Sequence, residues 1–192
     1  MFVASSDWID RSTETIYQAM RDAQCGRNSC VEAACIAVGV AQAFGYLCEP
    51  VPVAVCVRAG DQATVLPGPD SRRRDGFAGH LVVHYPGADT VVDLTADQFH
   101  APRRGIWVPE PLIMPVSRDG LARGFGAELP TGTLIEYREM VDDVSWRSLP
   151  AWTESSNILI AVIVRRLRAL LASSPTSSGG KRPGSTLTNR LR

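Results

Sequence analysis

Apolar residues follow helical spacing near the start of the chain and give way to strand-like runs after residue 50. Ile16, Tyr17 and Met20 predict a first amphipathic helix over 10–23. CGRNSC follows as a turn, in which Asn28 or Ser29 offers a side-chain oxygen to the free N–H groups of the next helix. That second helix, Val31 to Phe44, is interrupted only by Glu32, Gly39 and Gln42. It is apolar nearly all round and far shorter than the roughly 20 residues a membrane span needs, so it is expected as a buried central helix. Gly45 closes it.

Val51 to Arg58 (VPVAVCVR) predicts a strand, with Pro52 restricting where its start can pair. Residues 59–79 are expected as a polar loop, with Arg72-Arg73-Arg74 a solvated charge run. HLVVHY and TVVDLT flank PGAD, a clear hairpin signal. GIWVPEPLIMPV reads as extended and Pro-rich, TLIEYREM as another strand, and 155–171 as a terminal helix. Its core ILIAVIV is rich in β-branched residues and fits a strand equally. Helices first and strands afterwards predict an α+β domain over 1–171. Residues 172–192, ASSPTSSGGKRPGSTLTNRLR, have too few apolar side chains to offset ordering entropy and are expected as a disordered tail.

Composition narrows the class. The chain has 192 residues, 45% hydrophobic and 21% charged, which suits one domain with a full core. Twenty basic residues balance twenty acidic ones, so the basic excess of a phosphate-neutralising nucleic-acid binder is missing. MFVASSDWIDRSTE has no basic n-region or long apolar h-region, so neither a secretory signal nor a membrane partner is expected. Five cysteines (25, 30, 35, 48, 56) are an odd number in a chain not short of core. They read as reduced thiols in a cytoplasmic protein, not as a disulfide framework.

Three side chains have the makings of a reactive site. Cys30 stands at the mouth of the apolar helix, where the helix dipole and unpaired N–H groups favour a thiolate. If PGAD is a loop of two or four residues, the hairpin takes an odd-sum register, and His80, Val82 and His84 share a face with Val91, Asp93 and Thr95. Thr95 then lies opposite His80, with Asp93 the diagonal neighbour, within reach of an imidazole–carboxylate hydrogen bond. A three-residue loop puts Asp93 on the other face. Metal binding competes for the same groups, but His80 and His84 are roughly 13 Å apart along a strand. The cysteines also lack paired CxxC knuckles. No metal or cofactor is expected.

Cys30 opening an apolar helix, then a strand, then GHLVVHYPGADTVVDLTADQF, resembles the transglutaminase-like branch of the papain-like cysteine-protein superfamily over residues 24–99. The most specific parts are Gly79-His80 and Val92-Asp93-Leu94-Thr95. The resemblance implies a papain-like/transglutaminase-like core, with the nucleophile helix buried against an antiparallel sheet. It makes Cys30 the nucleophile, His80 the general base and acid, and Asp93 the orienting carboxylate. Gln24 stands six residues before Cys30, the offset of the oxyanion glutamine in papain-type proteases, and is the candidate side-chain donor. The implied activity is acyl transfer or amide hydrolysis through a thioester on Cys30, on a protein or peptide-like amide substrate. Peptidase, amidase, deamidase and transglutaminase-type chemistry all fit. The alternative is a catalytically inactive binding module of the same fold.

Overall fold

A computed structural model describes residues 2–25, 29–66, 77–108, 111–153 and 157–173. The first helix, α1 (Ser6–Asp22), begins earlier than the apolar spacing indicated. Ser5 is the cause: its side-chain oxygen accepts the Trp8 N–H, and Trp8 and Ile9 extend the buried stripe. α2 (Cys30–Ala43) is the buried helix the sequence indicated, with Phe44 as C-cap and Gly45 at φ 76 just beyond. Ser29 is its N-cap, yet the Ser29 side chain makes no capping bond; Asn28 lies outside the described residues.

The β-branched run ILIAVIV is helical, within α5 (Asn157–Ser173). Tertiary packing decides this. Ile163, Val164 and Leu167 are buried at helical spacing, and the helix packs on α1 and α2. Gly39 of α2 makes the approach possible, since a Cβ there would lie 2.6 Å from Ile160 Cδ1. α5 runs past the expected boundary at 171; positions 174–192 lie outside the described residues. No described helix is long and apolar enough to cross a membrane.

Seven strands form one antiparallel sheet: β1 (Glu49–Ala59), β2 (Gln62–Leu66), β3 (His80–Tyr85), β4 (Thr90–Asp93), β5 (Leu112–Pro115), β6 (Phe125–Glu128) and β7 (Leu134–Glu139). The order is β5-β4-β3-β1-β7-β6, with β2 alongside the far end of β1. The fold is α+β. β2 falls where a polar loop was expected: Gly60, at φ 55, and Asp61 turn the chain straight back onto β1. Arg72–Arg74 lie outside the described residues. α3 (Arg118–Arg123) and β6 are also absent from the sequence reading.

Pro52 sits inside β1 without harm to the ladder. Its carbonyl accepts the Met140 N–H, so its own nitrogen faces that side too, away from β3.

Both faces of β3 are buried. Leu81, Val83 and Tyr85 pack with the helices. Val82, on the opposite face, joins a second core with Val51, Val53, Val55, Ile135 and Tyr137. The Tyr137 hydroxyl of β7 lies 2.8 Å from Asp93 of β4, three strand steps away in sheet order. A flat sheet would separate those strands by about 14 Å. The sheet therefore curls into a near-barrel. Close packing accompanies the curl at Gly126 of β6, where a Cβ would run into the backbone carbonyl of Ile135.

Candidate active site

His80 opens β3 and Asp93 closes β4. PGAD joins them as a four-residue connection: the 3-10 turn Pro86–Ala88, then Asp89 at φ 46, a left-handed conformation that Asp tolerates. The resulting register pairs Val83 with Val92, His84 with Val91 and Tyr85 with Thr90, the odd sum that places His80 and Asp93 on one face. His80 Nε2 lies 2.8 Å from Asp93 Oδ2, and both side chains are buried. Gly79 lets the strand start under a tight cover, because a Cβ there would meet the Met140 sulfur at 3.0 Å and the Phe77 ring at 3.2 Å.

Asp93 is held from three directions. Besides His80, its Oδ2 accepts the Tyr137 hydroxyl at 2.8 Å, and its Oδ1 accepts the Thr95 N–H at 3.0 Å. Tyr137 is fixed in turn by stacking on Phe125, with ring centroids 5.0 Å apart. Burial, reinforced by the Asp93 charge, keeps the Tyr137 phenol well above its usual range, so it remains a donor. A carboxylate only accepts, so the neutral imidazole carries its proton on Nε2. Phe99 packs edge-on against the His80 ring at 5.2 Å.

Cys30, the first residue of α2, completes the line. Its thiol hydrogen-bonds the His80 imidazole, and the Leu81 backbone N–H reaches the sulfur. Burial is the largest influence on the thiol and opposes ionisation. The hydrogen bond and charge of His80, with the Leu81 N–H, outweigh it and pull the thiol below its ordinary value. Burial likewise opposes the imidazolium, but the charge and hydrogen bond of Asp93, helped by Cys30, raise His80. The other cysteines do not share this setting. Burial and then Glu49 push Cys48 up to about 12, and burial and then Glu32 raise Cys25. Such a line can move a proton between sulfur and nitrogen while the carboxylate holds the ring.

Comparison with protein families, curated proteins and solved structures finds no match.

The remaining sequence candidates lie elsewhere. Gln24 is exposed, in a left-handed conformation at φ 55 where α1 ends, and its side chain bonds no described residue. His84 turns to Glu49 of β1, Nδ1 to Oε1 at 3.1 Å, and Arg118 holds the same carboxylate at 2.7 Å. His84 Nε2 has no partner among the described residues.

Two residues of the site escaped the sequence reading. Tyr137 sits at an inward position of TLIEYREM, readable from alternation, but its tie to Asp93 depends on the curl. Gln98, in the 3-10 turn Ala96–Phe99, places its amide nitrogen 2.7 Å from His80 Nδ1. Only its position five residues after Asp93 hinted at this.

Proposed function

We propose that this protein is a cysteine-dependent acyl-transfer enzyme with a transglutaminase-like, papain-like core, acting on a protein or peptide-like amide. The hydrogen-bonded line from the Cys30 thiol through His80 to Asp93 carries the reading. In the proposed cycle the Cys30 thiolate adds to the amide carbonyl carbon. Collapse of the tetrahedral adduct breaks the C–N bond as the imidazolium gives its proton to the departing amine, leaving an acyl thioester. His80 then takes a proton from water or an amine as it adds to the thioester, and the Cys30 sulfur departs. Water as acceptor makes a peptidase, amidase or deamidase; an amine makes a transferase of the transglutaminase type. Cys30 heads α2, so N–H groups of the first helical turn are the natural donors to the oxyanion. Neither half of the cycle calls for a metal or cofactor. Five free cysteines fit a reducing, cytoplasmic setting.

A catalytically inactive binding module of the same fold is the second reading, favoured by the 7% exposure of Cys30. Reactivity separates the two. We expect iodoacetamide, applied from about pH 5 to 9, to alkylate Cys30 fastest of the five thiols below about pH 7. Peptide mass spectrometry quantifies each site. p-Nitrophenyl acetate should leave an acetyl group on Cys30. Both advantages should vanish in His80→Ala. An inert Cys30, or one indifferent to His80, overturns acyl transfer in favour of binding.

A further inference from the structure

The His80 nitrogen that must exchange the proton is already engaged. Asp93 holds Nε2, which leaves Nδ1 for the Cys30 thiol, and the Gln98 amide nitrogen stands 2.7 Å from that same Nδ1. An amide nitrogen only donates, and Nδ1 has a single lone pair in the ring plane. Gln98 can bond Nδ1 only while the imidazole is neutral. The thiolate–imidazolium pair needs a proton on that lone pair. The two arrangements exclude each other.

We propose that Gln98 is a positioning residue that holds the resting site in its thiol–imidazole form, and that substrate activates the site by drawing the amide off Nδ1. This rests on the acyl-transfer reading above. Gln98 is half-buried, whereas His80, Asp93 and Tyr137 are buried, so it can exchange partners without opening the core. The titratable groups facing His80 are Cys30 from α2 and Asp93 from β4, with Tyr137 from β7 acting through Asp93. Cys30 and Asp93 favour the imidazolium. Gln98 opposes it, because a hydrogen bond given to the neutral form stabilises that form.

The thiol–imidazole and thiolate–imidazolium forms carry the same number of protons. Gln98 therefore changes their ratio, and so the thiolate population near neutral pH. It leaves untouched the acid foot of the profile, where the reference state is thiol with imidazolium.

Gln98→Met keeps length and bulk but removes the donor. Near pH 7 its Cys30 should be alkylated about three- to tenfold faster than wild type, the factor a single net hydrogen bond supplies. Near pH 5 the two rates should agree. In parallel, ¹⁵N NMR of labelled histidine should show His80 Nδ1 unprotonated in the wild type at neutral pH and shifted toward the protonated position in the variant.

An equal acceleration at every pH means that Gln98 only blocks access. An unchanged or slower rate near pH 7 means that the amide does not compete with the thiol. A protonated Nδ1 in the wild type, measurable without any variant, has the same force. Each of these overturns the proposal. Gln98→Ala, read by the same ratio of rates and the same signal, stands in if Gln98→Met does not fold. Failure of acyl transfer itself looks different: His80→Ala then leaves wild-type Cys30 reactivity unchanged, whatever Gln98 does.

Discussion

Asp93 is the residue on which the site turns, because each of its hydrogen bonds fixes another part. Oδ1 fixes the backbone at Thr95, and Oδ2 gathers His80 and Tyr137. In Asp93→Asn the carboxylate charge that raises His80 is gone, and burial then pulls the imidazole down. Asp93 also opposes the thiolate, but this effect ranks below the help that His80 gives, so loss of the imidazolium decides the sign. Alkylation of Cys30 near neutral pH should fall about tenfold or more, a shift of one pKa unit being tenfold in population. Full reactivity should return only at alkaline pH, where the thiol ionises without its partner. A rate–pH profile by iodoacetamide checks both. Tyr137→Phe keeps the ring on Phe125 but removes a donor from a buried carboxylate, and should cost about 1–3 kcal/mol in a urea titration.

Among the elements, the hairpin was the most legible: PGAD between two alternating runs specifies both strands and their register. α2 was legible as well, since an apolar surface nearly all round has one stable place in a chain of this size. The start of α1 was not, because spacing alone passes over the Ser5 cap. ILIAVIV was ambiguous for a physical reason: β-branched propensity and helical burial pull in opposite directions, and the contact through Gly39 settles it. Triad geometry followed from local pairing. Tyr137 and Gln98 did not, because one depends on closure between distant strands and the other on how a short turn folds back over His80. Gly126 ties the sheet edge to the site. A Cβ there meets the Ile135 backbone, which cannot yield as a flexible side chain can, and the neighbouring Phe125 supports Tyr137. Gly126→Ala should lower stability by about 3 kcal/mol or more in denaturant titration, and blunt Cys30 alkylation near neutral pH in the fraction that still folds.

Across the whole molecule, the site joins three layers of organisation: a helix N-terminus supplies sulfur, a hairpin supplies imidazole and carboxylate, and β7 braces the carboxylate across the curl. The selectivity of alkylation for Cys30 should therefore disappear at or before the guanidinium concentration at which tryptophan fluorescence reports half-unfolding. Selectivity that persists beyond that midpoint would place its origin in the local sequence around Cys30.

The Tyr137–Asp93 bond has a consequence for the safety of the chain in a crowded cell. A strongly nucleophilic sulfur is a hazard to its neighbours whenever it is exposed without control. Here no segment of the polypeptide arms it alone; Asp93 and Tyr137 meet only after the sheet has rounded on itself. A nascent, damaged or half-assembled chain thus carries an ordinary thiol, and the weapon is loaded only once the mould is closed.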